Sequence, residues 1–206
     1  MKLLKSHVVL IAMIIALIFM FIAITVYPGG TYQNESSIGF DWSKNFFSNL
    51  FGEKALNGAE NTSKYWAFTG MFFYSLSCAV FFVHISKKIP NRTASNFIKY
   101  AGVLTMPFTF FIVTPFHDVM LAISSNLFYS CIVCITVYVL KSELSFFKYY
   151  CMFCLFIFYF ATYLYITGQW GLLSLIQKIN NGSTIILIIG LEYFTDQSDF
   201  YKRRFQ

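Results

Sequence analysis

Apolar runs long enough to cross a bilayer decide what this chain can fold into. The first, VVLIAMIIALIFMFIAITV, occupies 8–26; about 18 such residues suffice for the ~30 Å hydrocarbon layer. Others follow at 66–86, 100–115, 119–140 and 146–166, with Pro107 marking a kink in the third. A sixth, 172–194, reaches spanning length only by taking in QKINNGS. It therefore either lines a cavity with its first half or re-enters the membrane, because lipid cannot satisfy polar groups. Charged residues make up 12% of the chain, against about 25% in soluble domains. The expected fold is an all-α, polytopic membrane protein: one six-helix transmembrane bundle over residues 1–206.

The first run is read as a retained span. It is longer than a secretory apolar core and ends in YPGG, without a small-residue cleavage pattern. Charge then sets the direction. With the N-terminus inside, Lys2, Lys5, Lys87, Lys88, Arg92, Lys99, Lys141, Lys148, Lys202, Arg203 and Arg204 are cytoplasmic, and Lys44, Lys54, Lys64 and Lys178 are external, eleven against four. The positive-inside rule places both termini in the cytoplasm, which in a bacterium means the inner membrane. The net charge of +6 is thus a topology signal and an attraction to anionic lipid, so membrane lipids are the expected partners, with a membrane-protein partner open and no nucleic acid.

The one sizeable loop, 29–65, holds DWSKNFFSNL at 41–50. On a helical wheel Trp42, Phe46, Phe47, Leu50 and Phe51 share one face, and Asp41, Lys44, Asn45, Ser48 and Asn49 the other. That pattern predicts a short interfacial helix over 41–51, with Trp42 and Phe46 buried. Such a helix is a lid sealing the bundle, and Asp41, Asn45 and Asn49 on it can present a polar row to a ligand; the two readings are compatible.

YPGG, then DWSKNFFSNLFGEKALNGAEN, then a second span, resembles the six-span bacterial membrane proteins of domain-of-unknown-function family 998, distantly similar to the DRAM and Sfk families. The resemblance rests mainly on Asn45, Asn49, Asn57, Gly58 and Asn61, with echoes at Pro115, Asp118 and Gln177-Lys178. Where that pattern places a histidine in the fourth span, this chain has Ser124, Ser125 and Asn126. The resemblance implies a fold more than a function.

Candidate chemistry is sparse. Cys131, Cys134, Cys151 and Cys154 form two C-x-x-C pairs inside apolar spans, where thiolates are disfavoured; packing is their expected role, and no metal or cofactor is expected. His7 and His84 fall at the cytoplasmic ends of their helices and His117 at the external side, too far apart to share a metal. Glu192 lies near the cytoplasmic end of the sixth span. Ser124, Ser125, Asn126 and Ser130 give the fourth span a polar stripe, expected to bond to neighbouring helices. No G-x-S-x-G, P-loop or dinucleotide fingerprint occurs, so no catalytic residue is assigned.

At the external ends the topology gathers Asp41, Asn45, Asn49, His117, Asp118, Gln177 and Lys178. The expectation is a non-enzymatic protein binding or sensing a lipid head group or small polar ligand in an outer vestibule. A structural cap, a small-solute transporter and an outer-leaflet hydrolase using His117 and Asp118 remain the alternatives.

Overall fold

A computed structural model describes residues 7–201. Among them run six long helices: α1 (Val8–Thr25), α2 (Ser63–Ser86), α3 (Arg92–Phe111), α4 (His117–Lys141), α5 (Ser145–Ile166) and α6 (Trp170–Tyr193). A short α7 (Gln197–Tyr201) follows. Five of the long helices, all but α3, are long and apolar enough to cross a membrane. The protein is an integral membrane protein built as a helical bundle. Lys2, Lys5, Lys202, Arg203 and Arg204, which carry part of the charge asymmetry, lie outside the described residues.

The sixth run keeps its expected full length, whereas the third departs from its expected bounds. The sixth run forms one unbroken helix of 24 residues straight through QKINNGS, so no re-entrant turn is present. Its polar groups turn inward: Tyr129 donates its hydroxyl to Asn180 Oδ1 at 2.9 Å and meets Thr184 Oγ1 at 3.1 Å. The third run starts earlier than its apolar stretch, at Arg92, because Asn91 Oδ1 accepts the Ala94 N–H at 3.0 Å and caps it. It stops at Phe111 rather than 115. Arg92 and Lys99 dilute its apolar character, although its 20 residues still measure about 30 Å.

The core centres on α2. Phe81, Phe82 and Ile85 are fully buried against Val9 and Met13 of α1, Ile98 of α3, Ile132 and Ile135 of α4, and Ile188 and Leu191 of α6. At Gly102 α3 presses so close that a Cβ would lie 2.3 Å from Phe82 Cβ. Ser77 Oγ donates to Val9 O at 2.8 Å and pins α2 to α1. Outward the bundle shows large apolar side chains, such as Leu17, Ile18 and Phe21 on α1 and Phe156 and Tyr159 on α5. Lipid is the solvent such a surface needs. The polar stripe of α4 departs from expectation. Ser124 and Ser125 donate to Leu121 O and Asn126 to Ala122 O, all within the same helix.

The loop after α1 corrects the predicted interfacial helix, while the chain as a whole is an all-α bundle. Pro28 ends the helix, and Gly29 and Gly30 take positive φ values that start a two-stranded antiparallel hairpin, β1 (Gly29–Thr31) and β2 (Asn34–Ile38). Asp41–Asn45 then makes a tight turn closed by Asn45 N–H to Asp41 O at 2.9 Å, and Phe47–Leu50 is a single 3-10 turn. Burial follows the wheel only in part: Phe46 and Leu50 are buried as expected, but Asn45 is 0% and Asn49 9% exposed, whereas Trp42 is 53% exposed. The wheel failed because asparagine carries its own donors and acceptors, so burying it in a loop satisfies backbone groups that a helix would have satisfied itself.

Candidate functional site

Asn45 organises the loop. Its Oδ1 accepts the Asp41 N–H at 2.8 Å, and its Nδ2 donates to Gly30 O at 2.7 Å and Asn49 Oδ1 at 3.2 Å. Asn49 Oδ1 also accepts the Phe46 N–H at 2.7 Å. Asn61 ties this knot to the start of α2: its Nδ2 donates to Asn49 O at 3.1 Å and Gly52 O at 2.9 Å, and its Oδ1 accepts the Ser63 N–H. Buried polar groups are tolerable only when bonded in this way. Tyr27, Leu50, Ala55 and Ala67 pack beneath and complete the cap with apolar contacts.

The cap is docked on the first turns of α6. Gln177 Oε1 accepts the Phe47 N–H at 3.1 Å, and Ser174 Oγ donates to Ser43 O at 2.7 Å. Lys178 Nζ donates to Asn45 O at 2.6 Å and Ser174 O at 2.7 Å. It also stands 5.8 Å and 5.7 Å from the Phe40 and Phe47 ring centroids, within cation–π range. Ion pairs among the described residues are Lys44–Asp41 and His84–Glu192, so no carboxylate lies within pairing distance of this half-buried ammonium. Asp41 is spent locally. Its carboxylate accepts the Ser43 hydroxyl at 2.6 Å and the Ser43 N–H at 2.8 Å, which, with Lys44 beside it, hold its pKa below the usual range.

The structure thus brings together Asp41, Asn45, Asn49, Gln177 and Lys178. It leaves His117 and Asp118 apart, with no hydrogen bond to the loop. His117 Nδ1 meets Ile112 O at 2.8 Å and closes the α3–α4 turn, while Asp118 is exposed on the first turn of α4. There the negative charge suits the helix dipole. Ser174 and Asn61 belong to the cap although the sequence reading gave them no role. Ser174 sits one turn before Lys178, a spacing that puts both on one helix face.

A second polar cluster lies at the opposite end of the bundle. His84 Nδ1 is 2.6 Å from Glu192 Oε1, and the Glu192 side chain is 7% exposed. Lys88 Nζ donates to Leu191 O, Glu192 O and Thr195 O, each at 2.8 Å, closing the C-terminus of α6 as a cationic cap. Burial pulls the Lys88 pKa below its ordinary value, while the charges of Glu192, Asp196 and Asp199 oppose that pull. Tyr193 adds α1 to the knot, accepting the Leu10 N–H at 3.2 Å and stacking on His7. The depths of His84 and Glu192 were legible from the sequence; their pairing was not.

Comparison of the chain with protein-family models, with curated proteins and with solved structures returns no match, so the fold and function implied by the resemblance to family 998 draw no support from relatives.

Proposed function

We propose that the protein is a non-enzymatic, six-span membrane protein that holds an anionic lipid head group at Lys178, under the rim of an external cap. The observation that carries this reading is the Lys178 ammonium. It is half-buried on a spanning helix, bonded to two carbonyls and facing two aromatic rings, with no carboxylate at ion-pair distance among the described residues; Asp41, the neighbouring negative charge, is already bonded to Ser43. Desolvating a cation is costly without a counter-charge, and an ammonium has three donors, of which two are used. A lipid phosphate supplies both the charge and the acceptor. Half-exposed Trp42, packed edge-on to Phe40 and Phe47, sits where interfacial aromatics meet head groups. The vestibule read from the sequence narrows accordingly: Asn45 and Asn49 build the cap, and Lys178 with the Gln177 amide faces the ligand. Kinship with family 998 remains a proposal resting on the loop motif.

The test compares vesicles of phosphatidylglycerol with vesicles of phosphatidylcholine. Wild-type protein melts at a higher temperature in the anionic lipid and retains it through gentle purification, as read by mass spectrometry. Lys178→Met erases the difference, and Lys178→Arg keeps most of it. A wild-type chain equally stable in both lipids would sink the proposal and leave the cap as a purely structural seal.

Orientation belongs to the same proposal. The cap faces outward and both termini face the cytoplasm, with α3 counted as the third span. Glu60 and Asn91 are both exposed, in the cap and in the α2–α3 turn. An impermeant thiol reagent is expected to label Glu60→Cys in intact cells and Asn91→Cys only after lysis. Labelling of both from one side would contradict six spans.

A further inference from the structure

The exposed faces of α1 and α5 at mid-bilayer are apolar, as Leu17, Ile18, Phe153 and Phe156 show. That of α4 is not. Asn126 and Ser130 are exposed near the middle of this 25-residue spanning helix, where hydrocarbon would be their solvent. Within the chain the Asn126 side chain makes one hydrogen bond among the described residues, Nδ2 to Ala122 O at 2.8 Å, leaving its carbonyl and a second N–H without a partner. Such groups belong against protein.

Their setting indicates which protein. Val119, Ile123, Asn126, Ser130, Val133 and Val137 are all exposed, at successive spacings of four, three, four, three and four. The exposed faces of α1 and α5 keep the same 3.5-residue repeat; what sets α4 apart is that two central positions of it, Asn126 and Ser130, are polar, in a stripe otherwise of β-branched side chains that suits a left-handed helix pair. Ala122, Asn126 and Ser130, four apart, add small side chains that allow close backbone approach. Beside them Ile123 and Leu127 help to frame a shallow hollow of about 370 Å³ that a partner side chain can enter.

We propose that the protein forms a two-fold symmetric dimer through α4. Two copies inserted with the same topology share an axis along the bilayer normal, so their α4 helices run parallel and each residue meets its own counterpart. Asn126 then faces the Asn126 of the second copy at equal depth. An amide is self-complementary: each carbonyl accepts the other's N–H. A single asparagine on a mainly apolar seam also fixes register and favours two strands. The dimer does not depend on the Lys178 proposal, since the seam and the cap involve different residues.

Subunit counting of the full-length, fluorescently tagged chain in vesicles at graded protein density tests it. Two bleaching steps are expected at high density. Asn126→Leu weakens the dimer about 3- to 20-fold, the range spanned by single interhelical hydrogen bonds in membranes. Ser130→Phe removes it by blocking close approach, and both side chains point away from the chain's own core, so folding persists. In native membranes treated with iodine, the two-electron oxidant that takes both thiol protons away as hydrogen iodide, Ser130→Cys forms disulfide-linked dimers, and Phe156→Cys on the lipid face of α5 does not. The proposal is overturned by single bleaching steps at every density, by dimers indifferent to both substitutions, or by Ser130→Cys linking only to a different protein.

Discussion

Replacing Lys88 by methionine is expected to cost the folded protein roughly 3–5 kcal/mol, because three carbonyls at the end of α6 lose one shared charged donor at a stroke. Leu191 O keeps the Thr195 hydroxyl at 2.6 Å, while Glu192 O and Thr195 O lose the lysine, and a buried acceptor left without a partner costs about 1–3 kcal/mol. Glu192, already bonded to His84, would also lose the neighbouring positive charge of Lys88. Methionine fills most of the same volume, so the loss reports hydrogen bonding and charge rather than a cavity. Unfolding in detergent or by steric trapping in bilayers gives the energy. Hydrogen exchange gives the place, with the last turn of α6 and the start of α7 opening first. A Lys88→Met protein within about 1 kcal/mol of wild type would mean that water serves these carbonyls as well as lysine does.

Gly30→Ala is expected to be comparably severe, but confined to the cap. The residue sits at φ +90, and a Cβ there would lie 2.2 Å from Asn57 N and 2.4 Å from Leu56 C, backbone atoms that cannot swing aside. Backbone strain of about 1–3 kcal/mol adds to the steric cost. The Gly30 carbonyl is also where Asn45 Nδ2 anchors the loop, so displacement undoes the knot that docks on Gln177 and Lys178. The bundle should keep its helicity while segment 31–60 becomes cleavable by added protease. Gly58→Ala is the control: its φ is +83 but nothing stands within 4 Å of the added carbon, so strain alone of about 1 kcal/mol is expected. Equal protease resistance in the Gly30→Ala protein would show that the cap does not depend on this close approach.

The helices were legible in the sequence because hydrocarbon demands long apolar runs, and this demand survives in any tertiary arrangement. The faces of those helices were not. Apolar on every side, α1 gives no sign of which side meets α2, so Val9 and Met13 look no different from Leu17 and Ile18. The same blindness hid the His84–Glu192 pair, whose members stand 108 residues apart. The cap failed to read for another reason. A wheel over 41–51 assumes helical periodicity, whereas two positive-φ glycines and three buried asparagines favour a knot of turns with nearly the same alternation of polar and apolar side chains. Asp41, Asn45, Asn49, Gln177 and Lys178 are neighbours, as read, because topology alone brings the α1–α2 loop to the start of α6. His117 and Asp118 fell away because sharing one end of a bundle does not fix which neighbour a side chain faces.

Both polar knots close on α6, and this orders events while the chain is being made. Phe47 and its acceptor Gln177 are 130 residues apart, and Lys88 and Glu192 are 104. At about 5–20 residues per second, the cap loop therefore waits on the order of ten seconds after its own synthesis for the helix on which it docks. Throughout that interval the Phe47 N–H and the Lys88 ammonium have no intramolecular partner, and a ribosome that stalls before Trp170 leaves them so. A nascent chain of this protein thus carries at each membrane face a readable mark of incompleteness, which only the last long helix erases.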